Sequence, residues 1–506
     1  MLNLLEYLEH SAARAPEQLS FCGEDRCFTF AQLLAFARAA GTAIARAVGT
    51  VNRPVAVLTD RTALSPAAFQ AVLAAGCYYV PVDAKLPEQR MEAMLRQLQG
   101  PLLVYGPGQE KTAEAMGHIC RLLSLEAAEQ TVPDDTLLRQ RRERVLDWDP
   151  AYMIFTSGST GVPKGIVCHH RGAMDLADWL AEAGRYTDRD VLGNQAPFYF
   201  DGSVKDVYMT VKCGIPCHIL PKKLFMFPKL LVDFLNEKQI TTLAWATSAF
   251  RLVAGSGVLE KHVPQHLNKV LVGGEAMLAR DLNCWQKALP QVRYINLYGP
   301  TEATVDAVWY EVDRPFADGE AIPIGSACRN KEILLLNGDL QPVADGEVGE
   351  ICIRGSGLAK GYFGDSAKTH AAYIQNPLNP WYNDPIYRTG DLGFRGKDGL
   401  LYFSARLDGQ IKHMGYRIEL GEVETALSGL PQLPEAICFF DQERDRIVCC
   451  YEGELTAKEL VALLSKRLPR YMLPNIWIQK EKLPLNANGK VDRVALKEAY
   501  YRENGC

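Results

Sequence analysis

An α/β fold is expected for this chain, with a large N-terminal domain of layered α/β subdomains and a small α+β C-terminal lid domain. Three observations predict it. The 506 residues are 48% hydrophobic, enough for more than one core. Apolar strand-like runs alternate with helical patterns, an order that packs as α/β layers. After about residue 400 the texture changes to short strands and two amphipathic helical segments, so domains at 1–405 and 406–506 are expected.

Taken in order, the amino terminus, Met1-Leu-Asn-Leu-Leu-Glu-Tyr-Leu-Glu-His10, carries acids where an export signal carries Lys or Arg, and it lacks a long apolar stretch. No export, and a cytoplasmic location, are expected. The strand-like runs are Pro54-Val-Ala-Val-Leu58, Pro101-Leu-Leu-Val-Tyr105, Ala151-Tyr-Met-Ile-Phe155 and Lys269-Val-Leu-Val272; Leu230-Leu-Val-Asp-Phe-Leu-Asn-Glu237 has the helical period. Residues 63–82 carry no charge, yet Pro66, Gln70, Gly76 and Pro81 interrupt them, which predicts a buried helix running into a strand rather than a membrane span. The charge-rich stretch 131–149 is expected to be a solvated loop. Around Cys213 and Cys217 the chain reads as a turn entering a buried strand. Beyond residue 400, helices are expected around 420–430 and 457–468.

Composition excludes some functions. A net charge of -5, with 55 Lys and Arg interspersed among 60 Asp and Glu, provides no basic field for nucleic acid. The 14 cysteines include no C-x-x-C pair, so neither a zinc ribbon nor a dithiol redox motif is indicated, and reduced thiols are expected.

The strongest chemical signal is Phe155-Thr-Ser-Gly-Ser-Thr-Gly-Val-Pro-Lys-Gly165, directly after an apolar strand. Gly158 and Gly161 let the backbone aim amides at an anion, Thr156, Ser157, Ser159 and Thr160 offer hydroxyls, and Lys164 adds a charge. A nucleotide-hydrolase loop reads G-x-x-x-x-G-K-[ST] and opens a helix; here Pro163 precedes Lys164 and the residues from Gly165 look like another strand. The bland alternative is a flexible surface turn.

This loop resembles the phosphate loop of the adenylate-forming superfamily, which holds amino-acid adenylation domains, acyl- and aryl-CoA ligases and luciferases. Further segments agree in the family's order: Leu73-Ala-Ala-Gly-Cys-Tyr-Tyr-Val-Pro-Val-Asp83, Asn296-Leu-Tyr-Gly-Pro-Thr-Glu302, Gly349-Glu-Ile-Cys-Ile353, Tyr387-Arg-Thr-Gly-Asp391, Arg406-Leu-Asp-Gly-Gln-Ile-Lys412 and Asn488-Gly-Lys490. In length the chain is most similar to stand-alone adenylation domains and to D-alanine:carrier protein ligases.

The resemblance implies activation of a carboxylic acid with ATP and Mg²⁺, and a role for each matched residue. Glu302 would hold Mg²⁺, Thr301 would touch the α-phosphate, and Tyr298 would stack on adenine, with Gly274, Glu275, Asn296 and Gly299 beside it. Asp391 would accept both ribose hydroxyls, assisted by Arg406. Lys490 would bridge the attacking carboxylate and the α-phosphate; it lies in the small domain, which would turn about a hinge at Asp408 and present residues 409–420 to a thiol. The plain alternatives are a first-turn acid for Glu302, a turn acid for Asp391, a surface ion pair for Arg406 and a solvated Lys490.

Substrate choice is implied by Ala196-Pro-Phe-Tyr-Phe-Asp-Gly-Ser203. An aspartate at the position of Asp201 pairs with the α-ammonium of an amino acid; the alternative is that Asp201 caps a helix starting at Gly202. By the same resemblance Gly202, Lys205, Ala244, Leu271, Gly273, Leu297, Val305 and Asp306 line the pocket. Lys205 could meet a side-chain carboxylate, or could equally pair with Asp306 or Asp206. Acidic or small polar amino acids, and alanine, are expected substrates. The expected acceptor is the phosphopantetheine thiol of a separate carrier protein, since no L-G-G-x-S carrier segment is present. A coenzyme A ligase is the runner-up; a nucleotide sensor without catalysis is the third reading.

Overall fold

The computed structural model describes residues 3–158, 163–407, 410–430, 432–442, 444–484 and 491–504. Contacts divide the chain into two units: Met1–Ala84, Leu98–Phe155 and Gly165–Leu407 form the first, and Lys85–Gln97, Thr156–Lys164 and Asp408–Cys506 the second.

The first unit contains three sheets. One runs in the order Arg121–Ser124, Leu102–Tyr105, Pro54–Thr59, Tyr78–Asp83, Pro150–Thr156, Lys164–His169, with the first five strands parallel. The uncharged stretch does become helix Leu64–Ala74 and strand Tyr78–Asp83, and every residue of that helix is buried. Small residues permit this: a Cβ at Gly41 would lie 2.9 Å from Ala74 Cβ, so helix Phe30–Val48 crosses its neighbour at backbone range.

The nine-stranded second sheet runs Ser326–Ala327, Val308–Glu311, Arg293–Tyr298, Lys269–Gly273, Thr242–Ala246, Leu192–Asn194, Cys217–Ile219, Leu19–Cys22, Cys27–Thr29. Its middle strands are parallel and buried on both faces, which is why they read as unbroken apolar runs. Alternation along them sorts side chains into two cores. Ala244, Leu271 and Leu297 join the core of helix Gly202–Cys213, whereas Trp245, Val270 and Val272 join that of helices Thr247–Gly255 and Ala279–Ala288. An antiparallel sheet built on Lys331–Leu336, Gly349–Gly355, Pro385–Arg395, Tyr373–Gln375 and Leu401–Arg406 completes the unit.

The second unit is α+β. It has a hairpin, Gln410–His413 with Tyr416–Glu419, and a sheet of Glu435–Asp441, Arg446–Glu452 and Ile476–Gln479, packed by helices Leu420–Ser428, Ala457–Leu464 and Arg493–Glu503. Helix Glu88–Gln97 groups with it through the buried Arg90–Glu422 ion pair, whose side chains are 8% and 1% exposed.

Two sequence expectations are corrected. Residues 131–149 are not simply a loop: Asp134 accepts from Leu137 N at 3.0 Å and caps helix Asp135–Arg142. Charge obscured it, since the helix buries little and closes on its own cap. The helix expected over 457–468 ends at Leu464, before Pro469. Among the described residues no helix is long and apolar enough to cross a membrane.

Candidate active site

The residues singled out from the sequence gather, within the first unit, at the carboxyl ends of the parallel strands, where open α/β sheets bind ligands. Register explains the pocket positions. Ala244 pairs with Leu271, and Gly273 pairs with Leu297, so the three strands present these side chains on one face, toward helix Gly202–Cys213. Val305 joins the same core at 5% exposure. A Cβ on Gly273 would sit 3.1 Å from Leu297 O, so small size is a steric requirement there. Gly274, with φ +102°, faces open space, leaving its backbone approachable.

Asp201 stands at the head of helix Gly202–Cys213 yet makes no capping hydrogen bond. Its Oδ2 instead accepts from Thr301 Oγ1 at 2.5 Å. That geometry answers the capping alternative: the carboxylate is spent on the Tyr-Gly-Pro-Thr-Glu loop. Burial pushes its pKa above the ordinary carboxylate value, against the pull of Thr301 and Lys205, and Asp306 and Glu302 push the same way as burial. Lys205 resolves its own alternatives by pairing with Asp306 Oδ1 at 3.1 Å, with side chains only 8% and 4% exposed. Asp306 Oδ2 is buried without a hydrogen-bond partner. Asp206, held by Asn194 at 2.8 Å, is pushed up to about 7 by burial.

Glu302 is fully buried on the turn Thr301–Ala303, and Tyr362 donates to its Oε1 at 3.0 Å. Tyr373 and the Ala359 amide hold its backbone carbonyl at 3.1 and 2.8 Å. A first-turn acid on a surface helix needs no such enclosure. The loop beyond is strained: Thr304 and Val305, both β-branched, have φ of 55° and 68°. Gly299 makes the loop possible, because a Cβ there would meet Val305 O at 2.2 Å.

Asp391 and Arg406 are direct partners across the antiparallel strands Pro385–Arg395 and Leu401–Arg406, and they form an ion pair through Oδ1. Tyr298 donates to Oδ2 at 2.6 Å, and its ring lies in a core with Ala303, Ala307 and Tyr387. The sequence reading, which had this ring stacking on adenine, did not foresee that hydroxyl contact. Asn296 donates to Pro323 O at 2.9 Å. Glu275 lies 3.8 Å from Arg251, and its amide donates to Thr247 Oγ1 at 3.3 Å.

The phosphate loop belongs to the second unit. Thr156 Oγ1 is buried without a hydrogen-bond partner; Ser157 Oγ donates to Arg417 O at 2.7 Å and accepts from Glu419 N at 3.2 Å. Gly158 is buried and Lys164 half-buried. Ser159, Thr160 and Gly161, the hinge position Asp408 and Lys490 lie outside the described residues. Tyr362, Tyr373 and Lys331 were missed by sequence reasoning; no local signal marks them, since each acts on a loop far away in the chain.

A layered α/β body and a small α+β unit, with buried Glu302 and Asp391 in these settings, define an adenylate-forming enzyme. The chain belongs to the AMP-binding enzyme family, which it matches over residues 8–363. It is 30% identical over 511 residues to D-alanine--D-alanyl carrier protein ligase of Bacillus licheniformis, covering 98% of this chain and 99% of that protein. It is also 30% identical over 498 residues to tyrocidine synthase 1 of Brevibacillus parabrevis; the match takes in 97% of this chain but spans only 44% of that relative. The structure of holo-PA1221, a nonribosomal peptide synthetase protein with adenylation and PCP domains, superposes with a TM-score of 0.84 at 25% identity, covering 98% of this chain and 84% of that one. Enzymes of this family use ATP and, as a rule, Mg²⁺.

Proposed function

We propose that the enzyme activates an amino acid as its aminoacyl-adenylate, releasing pyrophosphate, and then passes the aminoacyl group to the phosphopantetheine thiol of a separate carrier protein. The observation that carries this reading is Asp201: a desolvated carboxylate, spared from helix capping, among further acids at Asp206, Glu302 and Asp306. Such an excess of buried negative charge calls for cationic ligands, and an α-ammonium and Mg²⁺ are two.

In the first half-reaction a substrate carboxylate oxygen bonds to the α-phosphorus as the bond to the β-phosphate oxygen breaks, and pyrophosphate leaves with that electron pair. Asp201 orients the substrate through its ammonium, and Thr301 ties that carboxylate to the loop bearing Glu302. Asp391, its two oxygens aimed by Tyr298 and Arg406, accepts from the ribose hydroxyls. The orphaned Thr156 hydroxyl, with Ser157, Gly158, Ser159, Thr160, Gly161 and Lys164, receives the phosphates. Among the described residues no three His, Cys, Asp or Glu gather as a metal cage, but Mg²⁺ binds through one or two carboxylates plus phosphate oxygens, which buried Glu302 fits. When bound there, Mg²⁺ neutralises charge building on the phosphates. Lys490 and the hinge Asp408 keep the roles that the resemblance implies. In the second half-reaction a thiolate attacks the acyl carbonyl and AMP departs.

The pocket supports a narrower substrate statement. Lys205 is neutralised by Asp306, so an acidic side chain no longer ranks ahead of a neutral polar one. Orphaned Asp306 Oδ2 favours a side chain that donates a hydrogen bond. Amino-acid-dependent pyrophosphate exchange across the common amino acids, D-alanine included, tests the reading. Lys490→Ala is expected to lose exchange while still binding ATP. Asp201→Ala is expected to lose its preference for amines over deaminated analogues by about 30-fold or more, from about 2–5 kcal/mol for breaking a buried charge pair. An unchanged preference would sink the amino-acid assignment. Offering coenzyme A beside a phosphopantetheinyl carrier protein decides the acceptor, and ATP binding without any exchange would establish a non-catalytic relative.

A further inference from the structure

Lys331 opens strand Lys331–Leu336, outside every motif that drew attention in the sequence. Its ammonium donates to Ala303 O at 2.8 Å, to Thr304 O at 3.5 Å, and to Asp306 O. Three successive acceptors belong to the strained turn that joins Glu302 to Asp306. A lysine rarely gives up solvent for neutral carbonyls, and burial lowers its pKa here.

The surroundings are shaped to admit it. A Cβ at Gly357 would fall 2.4 Å from Lys331 Cε, 2.7 Å from Nζ and 2.9 Å from Ala303 O, so glycine is what leaves the passage open. Gly357 O in turn accepts from Thr304 Oγ1 at 2.6 Å. The two left-handed, β-branched residues Thr304 and Val305 store strain that only an over-determined environment can maintain, and the ammonium supplies three of the anchors.

We infer that Lys331 is a positioning residue for adenylation: by gathering the carbonyls of residues 303, 304 and 306, it sets the place of Glu302 at one end of the turn and of Val305 and Asp306 at the other. The inference rests on the functions proposed for those residues. It links two properties that would otherwise vary independently, the Mg²⁺ requirement and the choice of amino acid.

The test uses the full chain with Lys331→Met, Lys331→Ala, Gly357→Ala and the Lys331→Ala/Gly357→Ala pair. Without ligands, hydrogen–deuterium exchange of the segment 300–307 should quicken in Lys331→Met, with circular dichroism and the unfolding midpoint of the distant nine-stranded sheet core little changed. In pyrophosphate exchange, kcat should fall about 10- to 100-fold, the size expected from a small misplacement of a reacting group. The Mg²⁺ concentration for half activity should rise, and discrimination among amino acids should weaken. Gly357→Ala, which pushes the ammonium aside, should reproduce this, and the double variant should be no worse than Lys331→Ala. Unaltered Mg²⁺ dependence and selectivity, or losses that multiply in the double variant, would overturn the assignment. If the wild type shows no amino-acid-dependent exchange, the proposed function fails by itself, and the protection of 300–307 still decides what Lys331 does.

Discussion

Asp391 shows how one carboxylate can be aimed by two unlike neighbours. Arg406 reaches it because the two positions face each other across an antiparallel ladder, and Tyr298 reaches it from the end of a parallel strand in another sheet. Asp391→Asn keeps the shape but loses the charge that both neighbours address. It is expected to raise the KM for ATP about tenfold or more, since a hydrogen bond to a charged group contributes about 1.5–3 kcal/mol. Pyrophosphate exchange against ATP concentration measures this, and an unchanged KM would remove Asp391 from the ribose site. Asp391 was readable from Tyr-Arg-Thr-Gly-Asp; its partnership with Tyr298 was not, because the contact joins residues 93 apart in the chain.

Loops and helices raise a different question, namely what lets them approach each other. The turn after Tyr298 depends on the bare Cα of Gly299, since any Cβ would press on Val305 O and on the Ala307 amide. Gly299→Ala is expected to cost about 1–3 kcal/mol, the usual range for overpacking, and to lower exchange activity at the same time. Chemical denaturation beside the activity assay checks it; wild-type values of both would show that the turn relaxes freely. In the second unit, helix Glu88–Gln97 hangs on Arg90–Glu422. Glu422→Gln leaves an arginine that cannot shed its charge, so a loss of about 3–5 kcal/mol is expected. Arg90→Met should cost less, because burial already raises the pKa of Glu422 and the carboxyl can take up a proton. Trp477, the only tryptophan in that unit, reports the unfolding of each variant. Equal losses would contradict the asymmetry.

Across the whole molecule, acid stability follows from buried histidines. His169, His170 and His218 are each held down to about 4, burial being the main cause in every case. His169 ring nitrogens face the Leu358 carbonyl and the Gly172 amide, and His170 accepts from Leu4 N, so all three are folded in as neutral groups. Their contribution is present above the unfolded value of about 6.5 and is lost as pH falls from there toward 4. Asp206, raised to about 7, acts in the opposite sense between 3.8 and 7, but it is one group against three. Urea midpoints are therefore expected to drop between pH 7.5 and pH 5. A midpoint that rose on acidification would mean that the histidines are accommodated as cations.

Local pattern alone determined the order of α/β elements, the buried helix in residues 63–82, the phosphate loop and the acids at 201, 302 and 391, because periodicity, glycine spacing and short motifs are properties of neighbouring residues. Helix Asp135–Arg142 escaped that reading, being charged on most of its surface and set by a cap. Tertiary structure alone decided between rivals the sequence left open. It paired Lys205 with Asp306 rather than with a ligand's carboxylate, turned Asp201 toward Thr301 rather than into a helix cap, and brought Lys331 beneath a turn that begins some 25 residues earlier. Ion pairs and carbonyl clamps form between side chains that meet only when sheets and helices pack, and no periodicity records which of several charges will arrive first.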